Sequence, residues 1–143
     1  MKLITFTHNR LTRVGAVVGE FVIDSAGSPD IPADMIAFLN GGAPALAAMQ
    51  RQIDGGGHRL ALREVKLEAP VPRPGKFLAI SLNYADHIAE TGKDKPDYPS
   101  FFTKQSTCVI GPGEAIQRPK VSDKLDYEGE LAFVIAGQPS APR

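Results

Sequence analysis

The stretch KLDYEGELAFVIAG, residues 124–137, predicts the longest strand of the chain. Side chains two residues apart on a strand point to the same face, so Asp126, Glu128 and Glu130 would follow one another at intervals of about 7 Å. Three such carboxylates repel one another unless that face is solvated or a cation neutralises them. Carboxylate oxygens suit Mg²⁺, Mn²⁺ or Ca²⁺, so the spacing alone leaves a metal site and a solvated sheet edge both open.

The second half of this stretch, LAFVIA at residues 131–136, is apolar on both faces of the predicted strand. A strand of this kind lies inside a sheet with neighbours on both sides. Only a short polar tail follows it, and the second half of the chain is small for the core that its strands imply. We therefore expect the sequence to be a truncated piece of a larger protein.

Length, charge and cysteine content set the class of protein. The 143 residues suffice for one core, or for a small domain with part of another. Sixteen basic and sixteen acidic residues cancel, which argues against nucleic acid and membrane surfaces as partners. No apolar run reaches the roughly 20 residues of a membrane span, and the N-terminus has no secretory signal pattern. The single Cys108 excludes an internal disulfide, so we expect a cytoplasmic protein.

The first half of the chain predicts a small α+β module. Alternating apolar residues with turns between them predict a three-stranded meander over residues 1–25. Two short helices follow, PADMIAFLN at 32–40 and APALAAMQRQID at 43–54, each ending at glycines. LALREVKLEAPV, residues 60–71, then predicts an extended stretch in which polar and apolar residues are interleaved.

A proline-rich stretch, APVPRPGK at residues 69–76, divides the chain. Prolines at these positions disfavour both helix and central strand. The stretch predicts a boundary between an N-terminal domain, residues 1–70, and a second unit, residues 74–143.

The second unit predicts mainly strands, so the expected fold class is α+β, mainly β. KFLAIS, residues 76–81, predicts a buried strand. A two-turn helix over 84–91 would be capped by Asn83 and ended by Gly92. Two short strands are expected further on, within residues 100–119, before the long strand at 124–137.

Three side chains of this unit are candidates for chemistry. His87 and Glu90 are three residues apart on the predicted helix and share one face, where a carboxylate can orient an imidazole and raise its basicity. An exposed ion pair gives the same spacing. Lys104 ends an apolar strand, where it could meet an anionic substrate or simply extend its ammonium into solvent.

In combination, three segments resemble the fumarylacetoacetate hydrolase family. They are PGKFLAISLNYADHIAETG at 74–92, PSFFTKQSTCVIGPGEAI at 99–116 and LDYEGELAFVIAG at 125–137. The family carries G/S-x-N-Y-x-x-H-x-x-E, F-x-K, G-P and E-x-E-L-x-x-V-I motifs in this order. The N-terminal module, residues 1–70, is similar to the small domain that precedes the catalytic domain in many bacterial members.

The resemblance implies a mixed β-sandwich roll, a bound Mg²⁺ (or Mn²⁺/Ca²⁺) and a homodimer. Glu128 and Glu130 would be two of three protein ligands to the metal, with Asp126 in a supporting place. His87 and Glu90 would activate a water or move a proton, and Lys104 would lie near the substrate. The implied reaction is carbon–carbon bond cleavage of a fumarylacetoacetate- or acylpyruvate-like 2-oxo acid in aromatic catabolism. Oxaloacetate decarboxylation and isomerisation of 2-hydroxyhepta-2,4-diene-1,7-dioate belong to the same family.

The sequence also departs from the family pattern. The family's third metal ligand is an aspartate some tens of residues after the E-x-E strand, and the 143 residues end before that position. Two glutamates alone should hold Mg²⁺ weakly, so we expect this chain by itself to be inactive. The alternatives are a dead chain that serves only in assembly, a metal-free β-rich binding module, and an enzyme completed by a separate chain.

Overall fold

The computed structural model describes residues 1–135, and the chain divides into two compact units. Unit 1 comprises Met1–Pro72 and Ile110–Arg143, and unit 2 comprises Arg73–Val109. The first division falls within the proline-rich stretch at 69–76, and the second returns the chain to unit 1. The expected domain boundaries at residues 70 and 74 stay a prediction.

Unit 1 is built on a five-stranded antiparallel sheet of order β4-β3-β2-β1-β5. The meander predicted over residues 1–25 is confirmed, and the stretch expected to be extended, residues 60–71, supplies much of the two edge strands. The strands are β1 (Lys2–His8), β2 (Leu11–Val18), β3 (Phe21–Asp24), β4 (Arg59–Ala61) and β5 (Lys66–Leu67), with a 3-10 turn at Leu62–Glu64.

Two helices cover one face of this sheet. α1 spans Met35–Asn40 and α2 spans Gly42–Asp54. Their apolar side chains pack on the strand residues in one core cluster, whose buried members are Val14, Ala16, Ile31, Met35, Phe38, Ala45, Ala48 and Met49. The predicted start of α1 at residue 32 is wrong: Oδ1 of Asp34 accepts a hydrogen bond from the Ala37 N–H (2.9 Å), so the helix begins after this cap.

A second, smaller core lies on strands β1, β3 and β4. Phe6, Val22 and Leu60 are its buried members. Gly15 on β2 makes this packing possible, because a Cβ there would lie 2.7 Å from Cε1 of Phe6 and 2.8 Å from Cγ1 of Val22. The side chains of both core clusters thus belong to unit 1.

Unit 2 is a two-stranded antiparallel sheet with one short helix. β6 (Leu78–Ser81) pairs with β7 (Ser100–Thr103), and α3 spans Ala85–Thr91. A 3-10 turn follows at Ser106–Cys108. All residues of this unit are described and none is buried, so the expectation of a buried strand at 76–81 is wrong. Four antiparallel residue pairs and one helix enclose too little volume to exclude water.

The ends of α3 are partly as expected. Gly92, with a positive φ of 63°, ends the helix as predicted, and its N–H donates to the Ala89 carbonyl (3.2 Å). Tyr84, not Asn83, occupies the N-cap position. Asp86 in the first turn interacts favourably with the helix dipole.

The predicted strand at 124–137 is wrong for the residues that the structure describes. Residues 124–135 adopt neither helix nor strand, and residues 136 and 137 lie outside the described part. A strand needs a neighbour for its backbone groups, and none of the seven strands within residues 1–135 pairs with this stretch. Phe133 and Ile135 are 82% and 83% exposed. The second of the two strands expected within 100–119 is also absent.

Candidate functional site

His87 and Glu90 approach each other on α3, as their spacing predicts. Nδ1 of His87 lies 3.8 Å from Oε2 of Glu90. This separation permits an electrostatic contact and is too long for a hydrogen bond. Both side chains are largely exposed, 49% and 76% respectively. A carboxylate on the Nδ1 side leaves Nε2 as the nitrogen that can exchange a proton with another molecule.

Lys104 follows β7, and both its backbone and its ammonium make contacts within unit 2. Its backbone N–H donates to the Phe77 carbonyl (2.9 Å), which continues the pairing of β6 with β7 by one residue. Nζ lies 5.2 Å from the centroid of the Phe102 ring, within the range of a cation–π interaction. The ring restricts the position of the ammonium without neutralising its charge.

Unit 2 also contains an open groove of about 450 Å³. It runs between the end of β6, one side of α3 and the loop that precedes β7. His87, Glu90 and Lys104 are not among the residues that line it. Those residues are Ile80, Ser81, Leu82, Asn83, Ala85, Ile88, Lys95, Pro96, Asp97, Tyr98 and Pro99. The groove and the His87–Glu90 pair are therefore separate features of this unit.

Glu128 and Glu130 belong to unit 1 and are exposed in an irregular segment. Asp126 nearby accepts a hydrogen bond from the Tyr127 N–H (2.8 Å). Residues 1–135 contain no group of three or more His, Cys, Asp or Glu side chains that could hold a metal ion. The two glutamates offer the oxygen donors that hard divalent cations prefer, but they do not make a complete ligand set.

Unit 1 contains a charged cluster that was not expected from the sequence. The carboxylate of Asp24 is fully buried and receives two hydrogen bonds of 2.5 Å from Nε and Nη2 of Arg13. The Ala26 N–H donates to Oδ1 (2.9 Å), and Nδ1 of His58 lies 3.2 Å from Oδ2. The guanidinium also stacks over the Phe6 ring at 4.9 Å. These side chains lie close together because β2, β3 and β4 pair in a particular register. That register cannot be read from the positions of the residues in the sequence.

The environment of Asp24 sets its ionisation. Burial is the largest single influence and opposes the charged form, but the hydrogen bonds from Arg13, Ala26 and His58 together outweigh it. The pKa of Asp24 is therefore lowered from its usual value. The same pair raises the pKa of Arg13, so both groups are charged at neutral pH. The cluster is a buried ion pair that ties β2 to β3.

A second charged cluster joins residues 110–114 to β5. Nζ of Lys66 contacts Oε1 of Glu114 (2.6 Å) and Oε2 of Glu68 (3.0 Å). Oε2 of Glu114 accepts a hydrogen bond from the Gly111 N–H (2.9 Å). The hydrogen bond between Lys66 and Glu114 is the main reason that the pKa of Lys66 is raised and the pKa of Glu114 is lowered. Gly111 is buried against the backbone of residues 67–69.

Residues 76–142 match the family described as fumarylacetoacetate (FAA) hydrolase C-terminal. Over this range, just under half of its length, the chain is similar to the fumarylacetoacetate hydrolase family. The resemblance expected from the three sequence segments is thereby confirmed, and the matched range contains His87, Glu90, Lys104 and both glutamates. No role for any of these side chains follows from the match itself.

Named relatives extend the similarity to the first half of the chain. The mitochondrial oxaloacetate tautomerase fahd2 of Xenopus laevis is 34% identical over 140 residues, which cover 94% of this chain and 44% of the relative. The oxaloacetate tautomerase YisK of Bacillus subtilis is 45% identical over 84 residues, 56% of this chain and 28% of the relative. The chain thus spans less than half the length of these fumarylacetoacetate hydrolase relatives.

Solved structures agree with this assignment. The maleylpyruvate hydrolase of Sphingobium sp. SYK-6, in complex with manganese(II) and pyruvate, superposes with a TM-score of 0.65 at 25% identity. The match covers 84% of this chain and 43% of that hydrolase. The expected fold class, α+β and mainly β with part of a fumarylacetoacetate hydrolase fold, is confirmed.

Proposed function

We propose that the protein containing this chain is a metal-dependent hydrolase or isomerase that acts on 2-oxo acids. The reaction proposed is cleavage of a carbon–carbon bond in a fumarylacetoacetate- or acylpyruvate-like substrate. The observation that carries the proposal is the His87–Glu90 pair, exposed on a helix inside the segment that matches the family. The 2-oxo acids in the names of the relatives supply the substrate class.

His87 is the proposed proton acceptor. Glu90 lies on the Nδ1 side of the imidazole at 3.8 Å, so it favours the tautomer whose Nε2 carries the free lone pair. That nitrogen can take a proton from a water molecule, whose oxygen then attacks a carbonyl carbon of the substrate. The bond from that carbon to the neighbouring carbon breaks, the fragment leaves with the electron pair as an enolate, and the proton held by His87 passes to that fragment. Because both side chains are exposed, a substrate can reach the pair without rearrangement of a core.

Lys104 is the proposed partner of a substrate carboxylate, since its ammonium offers three donors and a full charge. Glu128 and Glu130 are the proposed ligands for Mg²⁺, Mn²⁺ or Ca²⁺. When bound, such an ion polarises the carbonyl of a 2-oxo acid. Because these two carboxylates need further ligands, we propose that the chain acts within a longer or complemented enzyme and is inactive alone.

Oxaloacetate tautomerisation is the second candidate. It is favoured by the names of several relatives, including those of Xenopus laevis and Bacillus subtilis. This reaction only moves a proton between carbon and oxygen, so a base such as His87 meets its main requirement. Oxaloacetate decarboxylation and dienoate isomerisation remain further alternatives within the family.

Partners and location remain part of the proposal. A small 2-oxo acid and a second copy of the protein are the proposed partners. No helix within residues 1–135 is long and apolar enough to cross a bilayer. We keep the cytoplasm as the proposed location, although some relatives are named as mitochondrial proteins.

The test begins with the mass of the catalytically competent protein that contains these residues, compared with 15.3 kDa for the chain itself. That protein is then assayed with an acylpyruvate and with oxaloacetate. Replacement H87N should lower turnover about 10²- to 10⁴-fold. The matched control H8N removes an imidazole from the end of β1 and should leave turnover unchanged.

Two results would overturn the proposal. Equal turnover of H87N and wild type would remove His87 from the reaction. A purified full-length or complemented assembly that turns over neither substrate, and whose melting temperature does not respond to Mn²⁺, would favour the alternative of a chain that serves only in assembly.

A further inference from the structure

The Phe102 ring lies against the ammonium of Lys104. The two residues are two apart along extended backbone at β7, so their side chains share one face of the strand. The separation of 5.2 Å between Nζ and the ring centroid fits a cation–π contact. Phe101, the preceding residue, pairs with Ile80 and points to the opposite face.

Lys66 of unit 1 differs from Lys104, because its ammonium forms ion pairs within the fold. Its ammonium lies between the carboxylates of Glu68 and Glu114, which balance its charge and accept two of its three N–H donors. Among residues 1–135, no carboxylate lies within 4 Å of Nζ of Lys104. A ring face attracts the ammonium without taking its N–H donors into hydrogen bonds, so Lys104 remains able to bind an anion.

Restriction of Lys104 matters because a free lysine side chain loses rotamer entropy when it is fixed on binding. A ring that limits these rotamers beforehand reduces the part of this cost that falls on binding. We propose that Phe102 is a positioning residue of the substrate site, which holds the Lys104 ammonium in place for the carboxylate of a 2-oxo acid. The inference rests on the proposed function, since it takes Lys104 as the carboxylate partner.

The experiment measures pyruvate affinity of the catalytically competent protein by calorimetry. F102L should weaken pyruvate binding about 2- to 5-fold, the equivalent of about 0.5–1 kcal/mol for an exposed cation–π pair. F101L is the matched control, because it removes a comparably exposed ring from the other face of the same strand, and its affinity should equal that of wild type. F102W, which keeps a ring face, should retain affinity.

A double-mutant cycle separates positioning from general damage to unit 2. If Phe102 acts through Lys104, F102L should cause no further loss in a K104M background. An equal loss in both backgrounds, or an equal loss in F101L and F102L, would overturn the inference.

The ring-current shift of the Lys104 ε-methylene protons gives a readout that is independent of activity. This shift should be present in wild type and F101L and absent in F102L. If wild type binds no pyruvate, the proposed function fails, and the substrate role of Phe102 fails with it. If wild type binds pyruvate but the shift is the same in F102L, only the present inference fails.

Discussion

Two pairs of neighbouring polar side chains distinguish the two units of this chain. In unit 1, Asp24 is buried and bound by Arg13 through two short hydrogen bonds. In unit 2, His87 and Glu90 are exposed and lie 3.8 Å apart. The first pair is enclosed by strands and joins two of them, so it serves folding. The second is open to solvent on a short helix, so it contributes little to folding and is accessible to a substrate.

The largest expected effect is on the buried pair. D24A removes a carboxylate and leaves Arg13 with 11% exposure and no counter-ion, which should lower the free energy of unfolding by about 3–5 kcal/mol. E90A on α3 should lower it by less than about 1 kcal/mol, because the pair there is exposed. Urea unfolding of both variants measures the contrast. Equal losses in the free energy of unfolding would contradict the view that the buried pair stabilises the fold more than the exposed pair does.

The contact of residues 110–114 with β5 should show the next largest effect. In G111A the new Cβ would lie 3.1 Å from the Leu67 carbonyl oxygen and 3.2 Å from Cα of Glu68. Backbone atoms cannot move away cheaply, so we expect a loss of about 1–3 kcal/mol in the free energy of unfolding.

G129A is the matched control for this substitution, because a Cβ at that glycine meets nothing within 4 Å. Thermal unfolding of the two variants and the wild type measures the difference. A melting temperature of G111A equal to that of G129A would show that residues 110–114 do not pack on β5 in solution.

Low pH should reduce the contribution of Asp24 to the free energy of unfolding. Because its pKa is lowered in the folded state, its contribution to stability is complete above the unfolded value of about 3.9 and is lost as the pH falls through the folded value. The difference in unfolding free energy between wild type and D24A should therefore narrow below about pH 4. Urea unfolding between pH 2 and pH 6 measures it. A constant difference over this range would contradict the lowered pKa.

The contrast between the units also explains what the sequence could predict. His87 and Glu90 are neighbours because they are three residues apart on one helix, and such local geometry can be read from spacing. Arg13, Asp24 and His58 meet only after β2, β3 and β4 have paired in register. Nothing in their spacing indicates this contact, so the cluster was missed.

The prediction of a strand at 124–137 is wrong for a related reason. Its alternation of polar and apolar residues is typical of a strand, but a strand also needs neighbours, and no strand within residues 1–135 pairs with it. The meander over residues 1–25 was predictable because its strands pair with one another through short turns. The glutamates of the candidate metal site therefore lie in a segment whose conformation the sequence did not predict.

The most direct test of the account is a Mn²⁺ titration, followed by electron paramagnetic resonance, of the catalytically competent protein that contains these residues. We expect tight binding in wild type, loss of that binding in E130Q, and retention in D123N, which changes a nearby carboxylate without a proposed role in the metal site. Wild-type affinity in E130Q would contradict the assignment of Glu130 as a metal ligand, and with it the metal-dependent 2-oxo acid chemistry proposed for this part of the chain.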